Sequence, residues 1–304
     1  MPSDLLSIAD LDDETLLHLL ELAGRYRTGL ADRPLEGRSV ALLFEKPSLR
    51  TKVSFDIGVH QLGGHAVYLG RDEVGLNTRE PARDVAHVLE RWCCAIVARV
   101  FDHATLRELA DAASVPVVNA LSDLEHPCQA LADLATVQQR FGRLEGVTVA
   151  FVGDGNNVAR SLALACAGVG AAFRIASPPA FALEREWVDA VNARYGAKGP
   201  RVEAFDDPAR AVTGADVVYT DVWTSMGQEM EAAERRKAFE GFQVDDRLLD
   251  RAAPGVVLLH DMPAHYGEEV PPGMLDSLRS AAFDQAENRL HAQKAALRLL
   301  VAGE

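Results

Sequence analysis

The chain reads as an α/β protein, and three observations carry that reading. Short apolar runs alternate with stretches that have helical spacing. The alternation occurs as two successive series. At 304 residues there is room for two domains of roughly 150 residues each. Strands separated by helices predict an open parallel sheet in each series.

The elements follow in order. Residues 5–30 have helical spacing, with Leu16, Leu19, Leu20 and Ala23 on one face. Strand-like runs lie at 40–44, 66–69, 95–100 and 115–121, with helical stretches between them at 50–62, 81–91 and 105–113. A helix over 127–141 leads to Gly142 and Gly146. The second series opens with Val147-Thr-Val-Ala-Phe-Val-Gly153. It continues with a helix at 158–167 and strands at 172–176, 202–205, 217–220 and 256–260. A last helix spans 284–300. Residues 70–81 and 223–242 are polar and charged, and both read as loops over a cleft.

Composition narrows the function classes. Hydrophobic content of 48% and charged content of 25% are those of a globular protein. No apolar run approaches the roughly 20 residues that span a bilayer, and the N-terminus lacks the basic region of a signal peptide. The expected compartment is the cytoplasm. The four cysteines, Cys93, Cys94, Cys128 and Cys166, have no metal-ligand spacing and read as reduced thiols. The net charge of −14 argues against nucleic acid or an anionic membrane as partner. A positive pocket for an anion would have to be local, made by Arg50, Arg99, Lys46 and helix N-termini.

The most informative stretch is Phe44-Glu-Lys-Pro-Ser-Leu-Arg-Thr-Lys-Val-Ser-Phe55. The run Val40-Ala-Leu-Leu-Phe44 is a buried strand, Pro47 breaks it, and Ser48 is a good helix N-cap. Free backbone N–H groups and the positive end of the helix dipole then point at one spot. Ser48, Arg50 and Thr51 crowd the same spot, which suits a phosphate or similar tetrahedral anion. An ordinary capped helix with a solvated arginine would look the same in this segment alone. A second segment, His126-Pro-Cys-Gln129, opens another helix after an apolar run. Its imidazole and carboxamide suit a carbonyl or carbamoyl oxygen.

These two segments, in this order, resemble the transcarbamoylase family, whose members move the carbamoyl group of carbamoyl phosphate to an amine. Two further segments resemble its ornithine branch. Asp221-Val-Trp-Thr-Ser-Met-Gly-Gln228 is similar to the ornithine-binding loop, and His260-Asp-Met-Pro263 stands where that branch has His-Cys-Leu-Pro. The likeness runs from about residue 40 to Arg289.

The resemblance implies two doubly wound parallel-sheet domains joined by interdomain helices. Residues 1–138, completed by the helix 285–304, would bind carbamoyl phosphate, and 139–284 would bind ornithine. The implied reaction yields L-citrulline and phosphate, within arginine metabolism, with no metal or organic cofactor. By resemblance, Ser48, Leu49, Arg50, Thr51, Arg99, His126, Gln129, Met262 and Arg289 contact carbamoyl phosphate. Asn157, Asp221, Ser225 and Met226 hold ornithine. Arg50, Arg99, His126, Asp221 and Asp261 are the expected catalytic set. The family also implies a homotrimer or a multiple of trimers.

Two departures stand out. Leu49 replaces the usual threonine, at a position where backbone groups do much of the binding. Asp261 replaces the expected cysteine, which leaves open a different amine substrate, weak activity, or a non-catalytic family member serving as a binding partner. Gly153-Asp-Gly-Asn-Asn-Val158 lies between strand and helix as a dinucleotide turn would. Only two of its three glycines are in place, and Ser177-Pro178 ends the next strand where an acidic ribose partner belongs. A nicotinamide-dependent oxidoreductase is therefore the remote alternative. A tight turn that needs small residues explains the same glycines.

Overall fold

A computed structural model of the chain describes residues 2–196, 202–225 and 227–303. The chain divides into two compact units, Met1–Ala135 with Glu287–Glu304, and Thr136–Ala286. The first unit begins with α1 (Asp13–Arg27), then β1 (Ser39–Phe44), α2 (Leu49–Gln61), β2 (His65–Gly70), α3 (Arg71–Val74) and α4 (Ala82–Leu89). It continues with β3 (Ala95–Arg99), α5 (His103–Ala112), β4 (Val117–Leu121) and α6 (Pro127–Phe141). The second unit runs β5 (Thr148–Val152), α7 (Asn157–Gly168), β6 (Ala172–Ala176), α8 (Arg185–Tyr195), β7 (Val202–Phe205) and α9 (Pro208–Val212). Then come β8 (Val217–Thr220), α10 (Ala232–Ala238), α11 (Asp246–Leu249), β9 (Val257–His260) and α12 (Ala282–Ala302). The unit boundaries fall within α6 and α12.

Both sheets are parallel throughout their ladders. The first has strand order β2-β1-β3-β4 and the second β7-β6-β5-β8-β9. Each order reverses once, between β1 and β3 and between β5 and β8. In doubly wound sheets, ligands bind beyond the carboxyl ends of strands at that reversal. At the carboxyl ends of these four strands lie Ser48–Thr51 after β1, Arg99 as the last residue of β3, Gly153–Asn157 after β5 and Asp221 after β8. Topology alone therefore brings residues distant in sequence to two places, one in each unit.

The strands are near-continuous apolar runs because both faces are covered. Val40, Ala41, Leu42, Leu43 and Phe44 are all buried, as are the five residues of β3. In the second unit Phe151 stacks on Tyr219 at 5.2 Å, and Trp223 stacks on Phe239 at 5.4 Å.

Three expectations need correction. Residues 5–12 are not part of a long first helix. Leu5 lies beside Val118 as a parallel bridge, its N–H donates to the Val117 carbonyl, and α1 starts only after Asp12, whose carboxylate caps it by accepting from Thr15 N–H. The 70–81 segment is not all loop: it holds α3, which ends on Gly75 at φ 61°, a left-handed position suited to glycine. The 223–242 segment likewise holds α10. Among the described residues no helix is long and apolar enough to cross a membrane. The four cysteines are free.

Candidate active site

In the first unit, Ser48 caps α2. Its backbone is extended (φ −157°, ψ 119°), and its hydroxyl accepts from Thr51 N–H at 3.2 Å. Leu49 is the first helical residue and is 74% exposed; its backbone N–H is one of the free donors of the first turn. Arg50 is half-buried on the first turn. Thr51 is buried, and its hydroxyl accepts from Arg289 Nη2 at 2.5 Å. Arg289, on α12, is itself buried.

Arg99 ends β3 and is buried. His126 precedes Pro127, and its carbonyl accepts from Gln129 and Ala130 N–H, so it stands at the cap of α6. Burial, then the charges of Arg289 and Arg99, hold its pKa well below the ordinary histidine value. The imidazole is buried and held neutral, with the charges of two guanidiniums acting on it. Gln129 Nε2 donates to Asp133 Oδ1 at 2.8 Å one turn along the helix. Its buried Oε1 has no partner and is a ready acceptor for an N–H. Lys46 lies over the Phe101 ring at 4.6 Å; burial and then Arg99 push its pKa down, partly offset by Asp123 and Glu45. Cations, neutral donors and a helix N-terminus thus collect at one sheet edge of an acidic chain.

In the second unit the turn after β5 is closed by its own chain. A Cβ on Gly155 would lie 2.6 Å from Leu183 N and 2.9 Å from Ala182 C, and Gly155 N–H donates to Phe181 O at 2.7 Å. The glycine that would admit a pyrophosphate in a dinucleotide turn here admits the 181–183 segment, which rejects the oxidoreductase alternative. Asn156 caps α7: its Oδ1 accepts from Val158 and Ala159 N–H, while its Nδ2 donates to Asp221 Oδ2 at 2.8 Å. Asn157 is the first helical residue, and its Oδ1 also accepts from Val158 N–H. Asp221 is buried, and its Oδ1 accepts from Val222 N–H. Ser225 N–H donates to Gln228 Oε1. Met226 lies outside the described residues.

β8 and β9 pair with Thr220 opposite His260. Asp221 and Asp261, each one residue beyond, therefore share the same edge; with His260 they bring ligand-type atoms within 4.8 Å of one another. This trio is poorly suited to a metal. His260 Nδ1 accepts from Met262 N–H at 2.9 Å, so Nε2 carries the hydrogen that goes to Glu269 Oε1 at 3.0 Å. No ring lone pair is left. Met262 belongs to this second unit and is left-handed at φ 59°, followed by a cis bond to Pro263.

Several supporting residues escaped the sequence reading. Asp154 takes a hydrogen bond from Arg235 Nη1 at 2.7 Å, and Arg235 also donates to Trp223 O and lies over the Phe181 ring at 4.6 Å. Burial raises the Asp154 pKa, the Arg235 bond pulls it down, and the charges of Asp221 and Glu231 push it up again. Glu269 is fully buried against His260. Asn156 was findable, since a strand–helix turn needs a cap and asparagine is a strong one. Arg235 sits in the charged 223–242 stretch that reads as a loop, and nothing there marks it as buried.

A two-unit α/β architecture with an anion-attracting edge in one unit and a carboxylate-rich edge in the other defines a two-substrate group-transfer enzyme. Residues 3–139 match the family described as aspartate/ornithine carbamoyltransferase, carbamoyl-P binding domain, and residues 145–300 match its Asp/Orn binding domain. The chain belongs to the aspartate/ornithine carbamoyltransferase family. It is 46% identical over 304 residues to the anabolic ornithine carbamoyltransferase of Pyrococcus furiosus, covering 99% of this chain and 96% of that one. It is 45% identical to the ornithine carbamoyltransferase of Thermococcus kodakarensis at the same coverage. The solved structure of the P. furiosus enzyme superposes with a TM-score of 0.95, covering 99% and 97% of the two chains. An N-acetyl-L-ornithine transcarbamylase structure, at 30% identity, superposes at 0.88 with 98% and 99% covered.

Proposed function

We propose that this chain transfers the carbamoyl group of carbamoyl phosphate to the δ-amine of L-ornithine, giving L-citrulline and phosphate. The observation that carries the reading is the neutral, buried His126 beside Arg99 and Arg289, with Arg289 bonded to Thr51.

Carbamoyl phosphate presents a dianionic phosphate and a carbonyl that becomes an oxyanion when the amine attacks. The first turn of α2, with Ser48, Leu49 N–H, Arg50 and Thr51, takes the phosphate. Arg99, His126 and Arg50 face the carbonyl oxygen; a neutral imidazole donates a hydrogen bond without adding charge. The free Oε1 of Gln129 accepts from the carbamoyl amide. Arg289 holds Thr51 and adds charge to the phosphate. Met262 serves the carbamoyl group from the His260–Pro263 turn.

Ornithine falls to the second unit. Asp221, fixed by Asn156, pairs with the α-ammonium, and Asn157, Ser225 and Met226 hold the rest of the amino-acid backbone. Asp261 lies beside the δ-amine. The remaining support for ornithine over an N-acylated or decarboxylated analogue is the Ser225-Met-Gly227 loop and the names of the relatives at 45–46% identity.

A homotrimer fits the surface of the first unit. Leu49, Val53 and Ile57 recur at four-residue spacing along α2 and are 74%, 44% and 44% exposed, and Trp92 is 72% exposed. Such a stripe on a helix face suits burial against another copy. Light scattering should give three times the chain mass of 32.9 kDa, or a multiple of that.

The test of function is citrulline formation with carbamoyl phosphate and, in parallel, ornithine, putrescine and N-acetylornithine. Turnover with ornithine alone is expected. Turnover with another amine in preference, or none at all, overturns the reading.

A further inference from the structure

The turn that carries His126 is tied to the N-terminus of the chain. Leu5 covers the open edge of β4, its N–H donating to Val117 O at 3.0 Å and its carbonyl accepting from Asn119 N–H at 2.8 Å. Asn119 Nδ2 donates to Leu6 O at 2.8 Å, and Asp4 Oδ1 accepts from Val117 N–H at 2.7 Å. Ser7 then opens a short 3-10 turn, Ile8–Asp10, closed by a capping box with Asp10.

Glu125, the residue before His126, completes the tie. Its Oε1 accepts from the Ser7 hydroxyl and its Oε2 from Ile8 N–H at 3.0 Å. The carboxylate is buried and sits at the N-terminus of that short turn. Its own backbone is pinned as well: its carbonyl accepts from Ser122 N–H at 3.0 Å, and Ser122 Oγ lies 2.8 Å from His103 Nδ1. Both oxygens of Glu125 receive donors more than a hundred residues away in sequence. An alanine there would leave the Ile8 N–H without this acceptor and remove the side-chain tie from Ser7 and Ile8 to the His126 turn.

We propose that Glu125 is a positioning residue for carbamoyl transfer: through Ser7 and Ile8 it fixes the turn that aims His126. The inference rests on the carbamoyl-transfer reading above. Misplacing a catalytic group by about 1 Å can cost about 100-fold in rate, so a side chain that touches no substrate can still set turnover.

The experiment uses full-length Glu125→Ala, Glu125→Gln and Ser7→Ala, with folding checked by circular dichroism and thermal unfolding. Glu125→Ala should lower kcat/KM for carbamoyl phosphate by about 10- to 100-fold and leave the KM for ornithine near the parent's. Glu125→Gln should recover most of the loss, because its carbonyl can accept from Ile8 N–H while its amide donates to Ser7 Oγ. In a His126→Ala background, Glu125→Ala should cost little more, since the group it aims is gone. A folded Glu125→Ala with parental kcat/KM overturns the proposal, as does an undiminished loss without the imidazole. If Glu125→Ala does not fold, Ser7→Ala decides: a loss in kcat/KM for carbamoyl phosphate in folded protein supports the tie, and parental kinetics refute it. Absence of citrulline formation by the parent would instead remove the carbamoyl-transfer reading, and this proposal with it.

Discussion

Asp221 and Asp261 bring carboxylate oxygens within 4.8 Å of one another at the carboxyl ends of adjacent strands. Thr220 faces His260 in the ladder, so the two aspartates cannot avoid each other. On the proposed assignment this pair surrounds an ornithine with two ammonium groups.

That geometry sets a pH dependence. Only the neutral δ-amine attacks, and its ordinary pKa is roughly 10. A carboxylate beside it stabilises the ammonium and raises the pKa of the bound amine. The rising limb of the kcat–pH profile, which reports the bound complex, should therefore move to lower pH in Asp261→Cys and Asp261→Asn, by about one unit. The KM for ornithine should rise in the same variants. Profiles that coincide with the parent's, or an optimum that turns more alkaline, would refute the role.

Arg50 is the half-buried guanidinium on the first turn of α2. On the proposed assignment it serves both the leaving phosphate and the oxyanion. Loss of one such donor typically costs about 100- to 1,000-fold in turnover. Arg50→Ala should fall in that range with its fold intact, because the cap from Ser48 to Thr51 N–H does not involve this side chain. A folded variant that keeps more than about a tenth of parental turnover would exclude Arg50 from the chemistry.

The strands and the parallel sheets were legible because buried parallel strands are unbroken apolar runs. The boundaries of β6 and β7 coincide with the runs at 172–176 and 202–205. α8 is not legible in the sequence although Val188, Val191 and Tyr195 are buried at helical spacing, because its charged face masks the pattern. The candidate residues Ser48, Thr51, Arg99 and His126 stand out in the sequence because each lies at the end of a strand-like run or at the start of the helix that follows one. Their supports do not. Arg235 meets Asp154 across 81 residues, and Glu269 meets His260 inside the core. Residue type shows that a charge exists, while only the fold shows which opposite charge it meets.

Arg235 and Asp154 are both buried; Arg235 also bonds Glu231 at 2.9 Å, so it is removal of Arg235 that leaves a buried carboxylate, Asp154, uncompensated. Loss of one member of a buried pair typically costs about 3–5 kcal/mol. Arg235→Ala should lose stability of that order in urea unfolding, and Asp154→Ala with Arg235→Ala should recover part of it. Trp223, whose carbonyl Arg235 also holds, lies two residues beyond Asp221. The KM for ornithine should therefore rise in Arg235→Ala more than the KM for carbamoyl phosphate. A single variant as stable as the parent, or a double variant that shows plain additivity, would contradict the coupling.

His126 ties stability to acidity. Burial and the two arginines depress its folded pKa below the unfolded value, which is about 6.5. Between the folded and unfolded values the unfolded chain binds more protons, so stability rises with pH across that interval. The contribution is complete above about pH 6.5 and is lost progressively as the pH falls through the window below it. His103 and His291, also depressed chiefly by burial, act in the same direction. The urea midpoint should drop between pH 7.5 and 5.5, and His126→Gln, which cannot titrate, should flatten that drop while abolishing most turnover. Since the imidazole stays neutral down to the depressed folded value, turnover should show no inflection near pH 6.5 from this group. A His126→Gln variant with the parent's full acid sensitivity, or an inflection near pH 6.5 that disappears with the substitution, would show that the imidazole is not held neutral.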